Sequence, residues 1–144
     1  MDGFRFTCPH RVGIADINYG GHVSNAAVLT YFQEARIAYL AALGEFSELD
    51  IGDGYGLVLA EARVRYRAEM FHREALELGV TTEVLGRTSF RLGYRIEGPG
   101  GVTAEGETTL VAFDYTRRRP RRLPEPLRQA ITRFEGRALA EEPV

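Results

Sequence analysis

One stretch near the start of the chain decides the fold: Ala15-Asp16-Ile17-Asn18-Tyr19-Gly20-Gly21-His22-Val23-Ser24-Asn25. Aspartate, asparagine and two adjacent glycines mark Asp16 to Gly21 as a loop, and Ser24 or Asn25 provides a side chain that caps a helix. The residues that follow place apolar side chains at three- and four-residue spacing, which predicts a long helix ending at Gly44. These apolar positions are Val28, Tyr31, Phe32, Ala35, Tyr39 and Ala42.

The segments on either side of this helix have the pattern of strands. A strand from Phe4 to Ile14 precedes the loop, and Pro9 confines it to a sheet edge or a bend. Four more strands are predicted after the helix: Leu57 to Glu69, Ala75 to Leu85, Ser89 to Glu97 and Val102 to Tyr115. The glycine-containing turns at 86–88 and 98–101 join the last three as hairpins. In the first of the four, one face is expected to carry Val58, Ala60, Ala62, Val64 and Tyr66.

This order predicts an α+β fold, in which a five-stranded antiparallel sheet wraps a long central helix and each covers the other's apolar face. Residues 1–144 are expected to form a single domain, with a short C-terminal helix or tail from about residue 123. Glu105 and Glu107 are expected near Arg91 and Arg95 as cross-strand charge pairs. Because an open sheet leaves strand edges unpaired, we expect a second copy of the chain to pair with it.

Composition excludes several classes of function. The net charge of -2 offers no global attraction to nucleic acid or to an anionic membrane. No lysine is present, which removes Schiff-base chemistry, and the single Cys8 cannot form an intrachain disulfide, so a reducing cytoplasmic setting is expected. No apolar run is long enough to span a bilayer. The three histidines have no metal-ligand spacing, so neither a metal nor a cofactor is expected.

The loop is suited to acyl chemistry because it leads directly into a helix. A helix N-terminus presents unpaired N–H groups and the positive end of its dipole, and glycines let a ligand approach the backbone. A thioester carbonyl over those groups would have its developing oxyanion stabilised. Asp16, Asn18 and His22 add polar groups to the same loop. The alternative is a glycine-rich turn followed by a helix cap.

The loop resembles the signature of the 4-hydroxybenzoyl-CoA thioesterase-like branch of the hotdog superfamily, D-x-D-x-x-G-H-V-N-N followed by a helix with F-x-E-A-R. The matching residues are Asp16, Asn18, Gly21, His22, Val23, Ser24 and Asn25, then Phe32-Gln33-Glu34-Ala35-Arg36. The resemblance covers nearly the whole chain and implies a hotdog fold. It also implies hydrolysis of an acyl thioester of coenzyme A or an acyl carrier protein, in a homodimer or dimer of dimers with its sites between subunits. Coenzyme A would enter only as part of the substrate, with Tyr19, Gly20, Gly21 and Asn25 in contact with it.

Asn18 stands where this branch usually has its catalytic aspartate, and an amide cannot serve as a carboxylate base or nucleophile. One interpretation is a likeness to the enediyne-polyketide thioesterases, in which Asn18 and Arg36 orient and polarise the thioester. A second is that another carboxylate, Asp16 or Glu61, substitutes. A third is that the domain binds acyl ligands without hydrolysing them.

Each candidate also has a structural interpretation. His22 is suited to hydrogen-bond the substrate carbonyl or position water, or to fix the loop to the sheet. Arg36 inside an apolar stripe is typical of a satisfied ion pair, and Asn25 of a helix cap. Glu61, on the charged strand face with Arg63, is typical of an ordinary cross-strand salt bridge. The basic run at 117–122 is typical of a solvated loop, although it also suits the phosphates of coenzyme A or an acidic carrier surface.

Overall fold

The computed structural model describes residues 1–141, and its strands and helices follow the predicted order. A short 3-10 turn, Ile14–Asp16, lies between the first strand and the long helix. The elements are β1 Phe6–Arg11, α1 Asn25–Gly44, β2 Gly56–Tyr66, β3 Ala75–Leu85, β4 Ser89–Gly98, β5 Gly101–Asp114, β6 Arg119–Pro120 and α2 Glu125–Glu135.

The sheet is antiparallel throughout, in the order β1-β3-β4-β5-β2, with the two-residue β6 added beside β5. The predicted α+β hotdog architecture is confirmed, and β6 is an addition that the sequence did not predict. β1 lies at one edge, as the presence of Pro9 predicted, because proline has no N–H to donate to a second neighbouring strand. β2 forms the other edge and is the longer of the two edge strands, at 11 residues against 6.

The helix α1 begins with a side-chain cap and ends in a left-handed turn. Ser24 Oγ accepts a hydrogen bond from Ala27 N at 3.1 Å, so Ser24 is the cap and Asn25 is the first helical residue. The proposed cap role of Asn25 is therefore wrong. Glu45, with φ of 66°, ends the helix after Gly44. The face toward the sheet buries Ala27, Val28, Tyr31, Phe32, Ala35, Arg36, Tyr39 and Leu40.

The centre of α1 packs tightly against β4 and β5. The ring of Phe32 stacks on that of Tyr94, with centroids 4.4 Å apart and planes 9° apart. Beside them lies Gly106, which is opposite Tyr94 in the register of β4 and β5. A Cβ on Gly106 would overlap the carbonyl oxygen of Arg63 and lie 2.7 Å from Phe32 Cε2. Gly106 therefore sets how closely the helix approaches the sheet.

A bulge in β2 changes which side chains face the helix. The pairing with β5 shifts between Leu59 and Glu61, so Leu59 and Ala62 both lie on the row of β5 residues that faces α1. Val58 consequently lies on the outer face of the sheet. The prediction that Val58 shares a face with Ala62 is wrong, because an extra residue resets the alternation of side chains.

The outer face of the sheet carries ion pairs. The closest contacts are Arg65–Glu107 at 2.6 Å, Arg67–Glu105 at 3.2 Å, Arg91–Glu83 at 3.3 Å and Arg95–Glu105 at 3.5 Å. The predicted pairing of Arg95 with Glu105 is confirmed, whereas Arg91 pairs with Glu83. The hydrogen bonds from Arg65 lower the pKa of Glu107.

The helix α2 is held to the rest of the fold by the buried carboxylate of Glu135. It accepts hydrogen bonds from Tyr39 OH at 2.5 Å, Thr81 Oγ1 at 2.8 Å and Thr82 N at 3.1 Å, which joins α2 to α1 and β3. The predicted C-terminal helix thus lies within the expected range, and residues 142–144 of the expected tail lie outside the described residues. None of the helices in residues 1–141 has the length and apolar character needed to cross a membrane.

Replacing Gly106 with alanine tests the packing of α1 on the sheet. We expect Gly106→Ala to lower the free energy of unfolding by about 1–3 kcal/mol, because the added methyl overlaps backbone and the Phe32 ring. The matched control is Gly100→Ala in the β4–β5 turn, where an added Cβ meets nothing within 4 Å. Urea denaturation followed by circular dichroism measures both, and equal stability of the two variants would contradict this packing.

Candidate functional site

The loop before α1 is closed by its own hydrogen bonds. Asn18 N donates to His22 O at 3.1 Å, and Gly21 N donates to Asn18 O at 3.0 Å. The side-chain oxygen of Asn18 accepts from Gly20 N at 2.9 Å. Gly21 has φ of +84°, a left-handed conformation that favours glycine. Asn18 therefore forms the turn through its oxygen atoms and retains its side-chain NH₂ as a donor.

The N–H groups of Gly20 and Gly21, two residues expected to contact the substrate, are thus engaged within the turn. The side chain of Tyr19 is fully exposed at the tip of the loop. In the first turn of α1, Ser24 caps the N–H of Ala27. Helix geometry leaves the N–H groups of Asn25 and Ala26 without intrahelical partners, so these are the backbone donors at this end of the helix. Asn25, the first residue of that turn, is exposed.

Asp16 anchors the loop to α1. Its Oδ2 accepts hydrogen bonds from Gly13 N at 3.1 Å and from Tyr31 OH at 2.7 Å. Burial and this hydrogen bond to Asp16 raise the pKa of Tyr31. In addition, Ser24 N donates to Asp16 O at 2.9 Å. Asp16 therefore has a structural role, which it performs through one of its two carboxylate oxygens.

His22 lies between the loop and the end of β2. Its Nδ1 is 3.0 Å from Val23 O, and its Nε2 is 3.5 Å from Glu69 Oε2. The loop is joined to the same segment by a hydrogen bond from Val23 N to Met70 O at 2.9 Å. A Cβ built on Gly20 would lie 3.1 Å from Asn18 Oδ1 and 3.4 Å from His22 Nε2. The polar atoms of Asn18 and His22 therefore converge beside Gly20.

A cavity of about 240 Å³ opens at this point, between the start of α1 and the end of β2. Its apolar wall includes Val28, Tyr66 and Met70, and its polar wall includes His22 and Glu69. Tyr66 OH donates to the carbonyl of Asn25 at 2.9 Å and closes one side. The cavity thus combines an apolar surface with an imidazole, a carboxylate and a helix N-terminus.

Glu69 is the site residue that the sequence did not suggest. It follows β2, far from the loop in sequence, and the Val23–Met70 hydrogen bond places it beside His22. Such a contact between separate segments has no periodic or motif signal. The sequence pattern predicts a strand from Leu57 to Glu69, which places Glu69 at a strand end and indicates no catalytic role for it.

Arg36 is buried in the core, away from the loop of its own chain. It is 5% exposed, its Nε donates to Glu48 Oε1 at 2.9 Å and its Nη1 donates to Tyr94 OH at 3.1 Å. Burial opposes its charge, but the Tyr94 and Glu48 oxygens outweigh burial and raise the pKa of Arg36. It follows Asn25 by eleven residues, or about 16 Å along the helix axis. Within one chain the structure does not bring Arg36 to Asn18.

Glu61 is also separated from the loop of its own chain. It is exposed on the outer face of β2, opposite Thr109 of β5, whereas the loop precedes α1 on the other face. Among the ion pairs of residues 1–141, neither Glu61 nor Arg63 takes part, so the cross-strand salt bridge expected of Glu61 is not formed. A role for Glu61 in catalysis across a dimer stays a prediction.

The basic run divides between several environments. Arg121 lies 3.6 Å from Asp114 Oδ2, and Arg118 lies over the ring of Phe113. Arg122 lines a cavity of about 590 Å³ together with Arg87 and Arg128. This cavity lies at the turn between β3 and β4, at the end of β3 that is far from Ala75. The length of β3, which separates the cavity from the start of that strand, is about 35 Å.

Other reactive groups have ordinary surroundings. Burial, with a contribution from Glu34, raises the pKa of the Cys8 thiol, which disfavours the nucleophilic thiolate. In the part of the chain that the structure describes, no three histidine, cysteine or acidic side chains are grouped to hold a metal ion.

Comparisons with known proteins agree with the fold. The model of the thioesterase-like superfamily matches residues 12–131. A thioesterase of Thermus thermophilus, solved with coenzyme A and zinc, is 32% identical, covers 96% of this chain and 100% of its own, and has a TM-score of 0.86. A 1,4-dihydroxy-2-naphthoyl-CoA thioesterase of Synechocystis is 25% identical over 88% of this chain and 94% of its own, with a TM-score of 0.79. A search among curated proteins finds no match.

A thioesterase-superfamily protein of Jannaschia further supports the fold. It is 24% identical, covers 97% of this chain and 89% of its own, and has a TM-score of 0.84.

The buried position of Arg36 predicts a structural effect of its replacement. We expect Arg36→Met to lower the free energy of unfolding by about 3 kcal/mol, because it leaves Glu48 and the Tyr94 hydroxyl without their partner. The exposed Arg133 of α2 provides the control, Arg133→Met, with an expected change below about 0.5 kcal/mol. Chemical denaturation measures both variants. A destabilisation of Arg36→Met no larger than that of the control would contradict the structural role.

Proposed function

Because the chain belongs to the thioesterase-like superfamily, we propose that it hydrolyses an acyl thioester of coenzyme A or of an acyl carrier protein to the free acid and thiol. The observation that carries the proposal is the cavity at the N-terminus of α1, in which His22 and the apolar side chains of Val28 and Met70 meet. An apolar cavity with a few convergent polar groups is typical of a small-molecule site.

The thioester carbonyl would lie over the first turn of α1. There the backbone N–H groups and the helix dipole favour the negative charge that develops on the carbonyl oxygen. The side-chain NH₂ of Asn18 is a further donor on the loop side, since its oxygen is held by Gly20 N. One such donor typically contributes a factor of about 10²–10³ in rate. In this scheme Asn18 polarises the thioester and does not act as a base.

The acyl group would extend along the apolar surface between α1 and β2. Leu29 of the helix is 42% exposed, while Leu59 and Tyr66 of β2 are about half exposed, at 50% and 51%. Tyr66 lines the same cavity as His22, and Leu59 lies on the same face of β2 as Tyr66. An acyl chain would cover apolar surface that the single chain leaves in contact with water.

Binding without hydrolysis is the second candidate function. It is favoured by the amide of Asn18 at the position where the related signature has a carboxylate. Saturable binding of acyl-coenzyme A with no release of free thiol would distinguish it from the hydrolase.

The functional unit that we propose is a homodimer paired through β2. Among residues 1–141, no strand pairs with the outer N–H and C=O groups of this edge strand. The edge at β1 differs, because it is short and contains Pro9. Glu61 and Arg63 flank Ala62 on that edge. An antiparallel pair of β2 strands with Ala62 at the twofold axis would set Glu61 of each copy opposite Arg63 of the other.

Such a dimer would also complete the substrate site. The start of β2, at Gly56, pairs with Phe113 near the basic run, whereas its end, at Tyr66, adjoins the loop. Antiparallel pairing places the start of one β2 beside the end of the other. The arginines at 117–119 of one copy would then lie near the loop of its partner, where they suit the phosphates of coenzyme A.

A thiol-release assay tests the proposed activity. The wild-type protein should liberate free thiol from at least one acyl thioester in a panel of aliphatic and aromatic acyl-coenzyme A compounds and carrier-bound equivalents. Asn18→Ala should lower kcat by about 10²–10³-fold, since it removes a carbonyl donor. Asp16→Asn and Glu61→Gln test the alternative bases. Absence of turnover across the whole panel would contradict the hydrolase function.

Charge reversal tests the dimer. We expect Glu61→Arg to weaken self-association by at least tenfold, because it sets two arginines opposite each other at two symmetric positions. The double variant Glu61→Arg/Arg63→Glu should restore association by exchanging the charges. Sedimentation velocity over a range of concentrations measures the effect, and a wild-type monomer, or a double variant as weak as the single one, would contradict this register.

A further inference from the structure

We propose that Glu69 supplies the carboxylate that the loop lacks at Asn18, by acting on His22 as a positioning residue for general-base catalysis. The inference rests on the proposed hydrolase function. Its basis is the contact of 3.5 Å between Glu69 Oε2 and His22 Nε2, on the wall of the same cavity.

The imidazole of His22 is oriented by its other nitrogen. Nδ1 lies 3.0 Å from Val23 O, and since a carbonyl only accepts, Nδ1 carries the proton of that hydrogen bond. In the neutral ring Nε2 then presents its lone pair to the cavity. The carbonyl contact thus fixes the tautomer that a general base requires.

Glu69 is placed to stabilise the protonated ring. Its side chain is 62% exposed and that of His22 is 30% exposed, so water reaches both groups. Arg67 also lines the cavity, but it pairs with Glu105 at 3.2 Å and leaves Glu69 without that cation. A water molecule that donates one hydrogen to Nε2 keeps an oxygen lone pair free for attack.

The reaction then proceeds through proton transfer at one atom. The water oxygen bonds to the thioester carbonyl carbon while its proton passes to His22 Nε2, and the imidazolium is stabilised by Glu69. Collapse of the tetrahedral intermediate breaks the C–S bond, with the electron pair leaving on sulfur. His22 returns the proton to that sulfur as general acid. The products are a thiol and a carboxylic acid, which ionises to solvent.

Three expected results distinguish a positioning role of Glu69 in catalysis from a merely structural role. Glu69 is largely exposed, so its replacement should leave the melting temperature unchanged. Its effect should fall on kcat, because the imidazolium forms only after substrate is bound. It should also depend on His22, since the two side chains act as a unit.

The test compares Glu69→Gln, Glu69→Asp, His22→Gln and the double variant Glu69→Gln/His22→Gln with the wild-type protein, using the thioester that it turns over. We expect Glu69→Gln to lower kcat by about 10²-fold with KM changed less than threefold. Glu69→Asp should recover part of this loss, and the double variant should be no slower than His22→Gln. Glu45→Gln, at the opposite end of α1, is the control and should retain wild-type kcat.

The outcomes separate this inference from the function on which it rests. Absence of turnover by the wild-type protein would contradict the hydrolase function itself. Wild-type turnover with kcat of Glu69→Gln within twofold, or a loss confined to KM, would overturn the role of Glu69 alone. Losses in the two single variants that multiply in the double variant would likewise overturn it, because they would show that the two residues act independently.

Discussion

The close packing of Phe32 between Tyr94 and Gly106 is the contact on which the site depends. It requires glycine on β5, because any larger residue would overlap the helix and the backbone of β2. The contact fixes the distance between α1 and the sheet, and with it the position of the helix N-terminus. The loop with its polar side chains directly precedes that N-terminus. The packing of the core therefore determines where the carbonyl of a substrate can be polarised.

A second constraint ties the loop to the end of β2. The hydrogen bond from Val23 N to Met70 O joins two segments that are remote in sequence, and it places His22 opposite Glu69. The loop is otherwise closed by its own turn, in which Asn18 accepts from Gly20. The side-chain oxygen of Asn18 thus stabilises the turn, and its NH₂ group remains available to donate to a substrate carbonyl. An aspartate at the same place would offer an acceptor but no donor.

Local patterns predicted the elements well because they depend on neighbours in sequence. The helix, the hairpins and the edge position of Pro9 all follow from periodicity or from backbone chemistry. The β2 bulge was missed because alternation looks regular through Ala60 in the sequence, and only pairing with β5 reveals the extra residue. The burial of Arg36 against Tyr94, and the approach of Glu69 to His22, likewise depend on contacts between distant segments. The catalytic roles inferred for Asp16 and Glu61 remain predictions. One carboxylate oxygen of Asp16 accepts a hydrogen bond from Tyr31, and Glu61 faces away from the loop of its own chain.

The proposed site places the thioester carbonyl at the N-terminus of α1, beside His22 and Glu69. The most direct measurement is a crystal structure with a non-hydrolysable acyl-coenzyme A analogue, in which a methylene replaces the sulfur of the thioester. We expect the analogue's carbonyl oxygen within hydrogen-bond distance of the first-turn N–H groups or of the Asn18 side-chain NH₂, with His22 Nε2 directed at the carbonyl carbon. A carbonyl bound away from this loop, for instance in the cavity lined by Arg87 and Arg122, would contradict it.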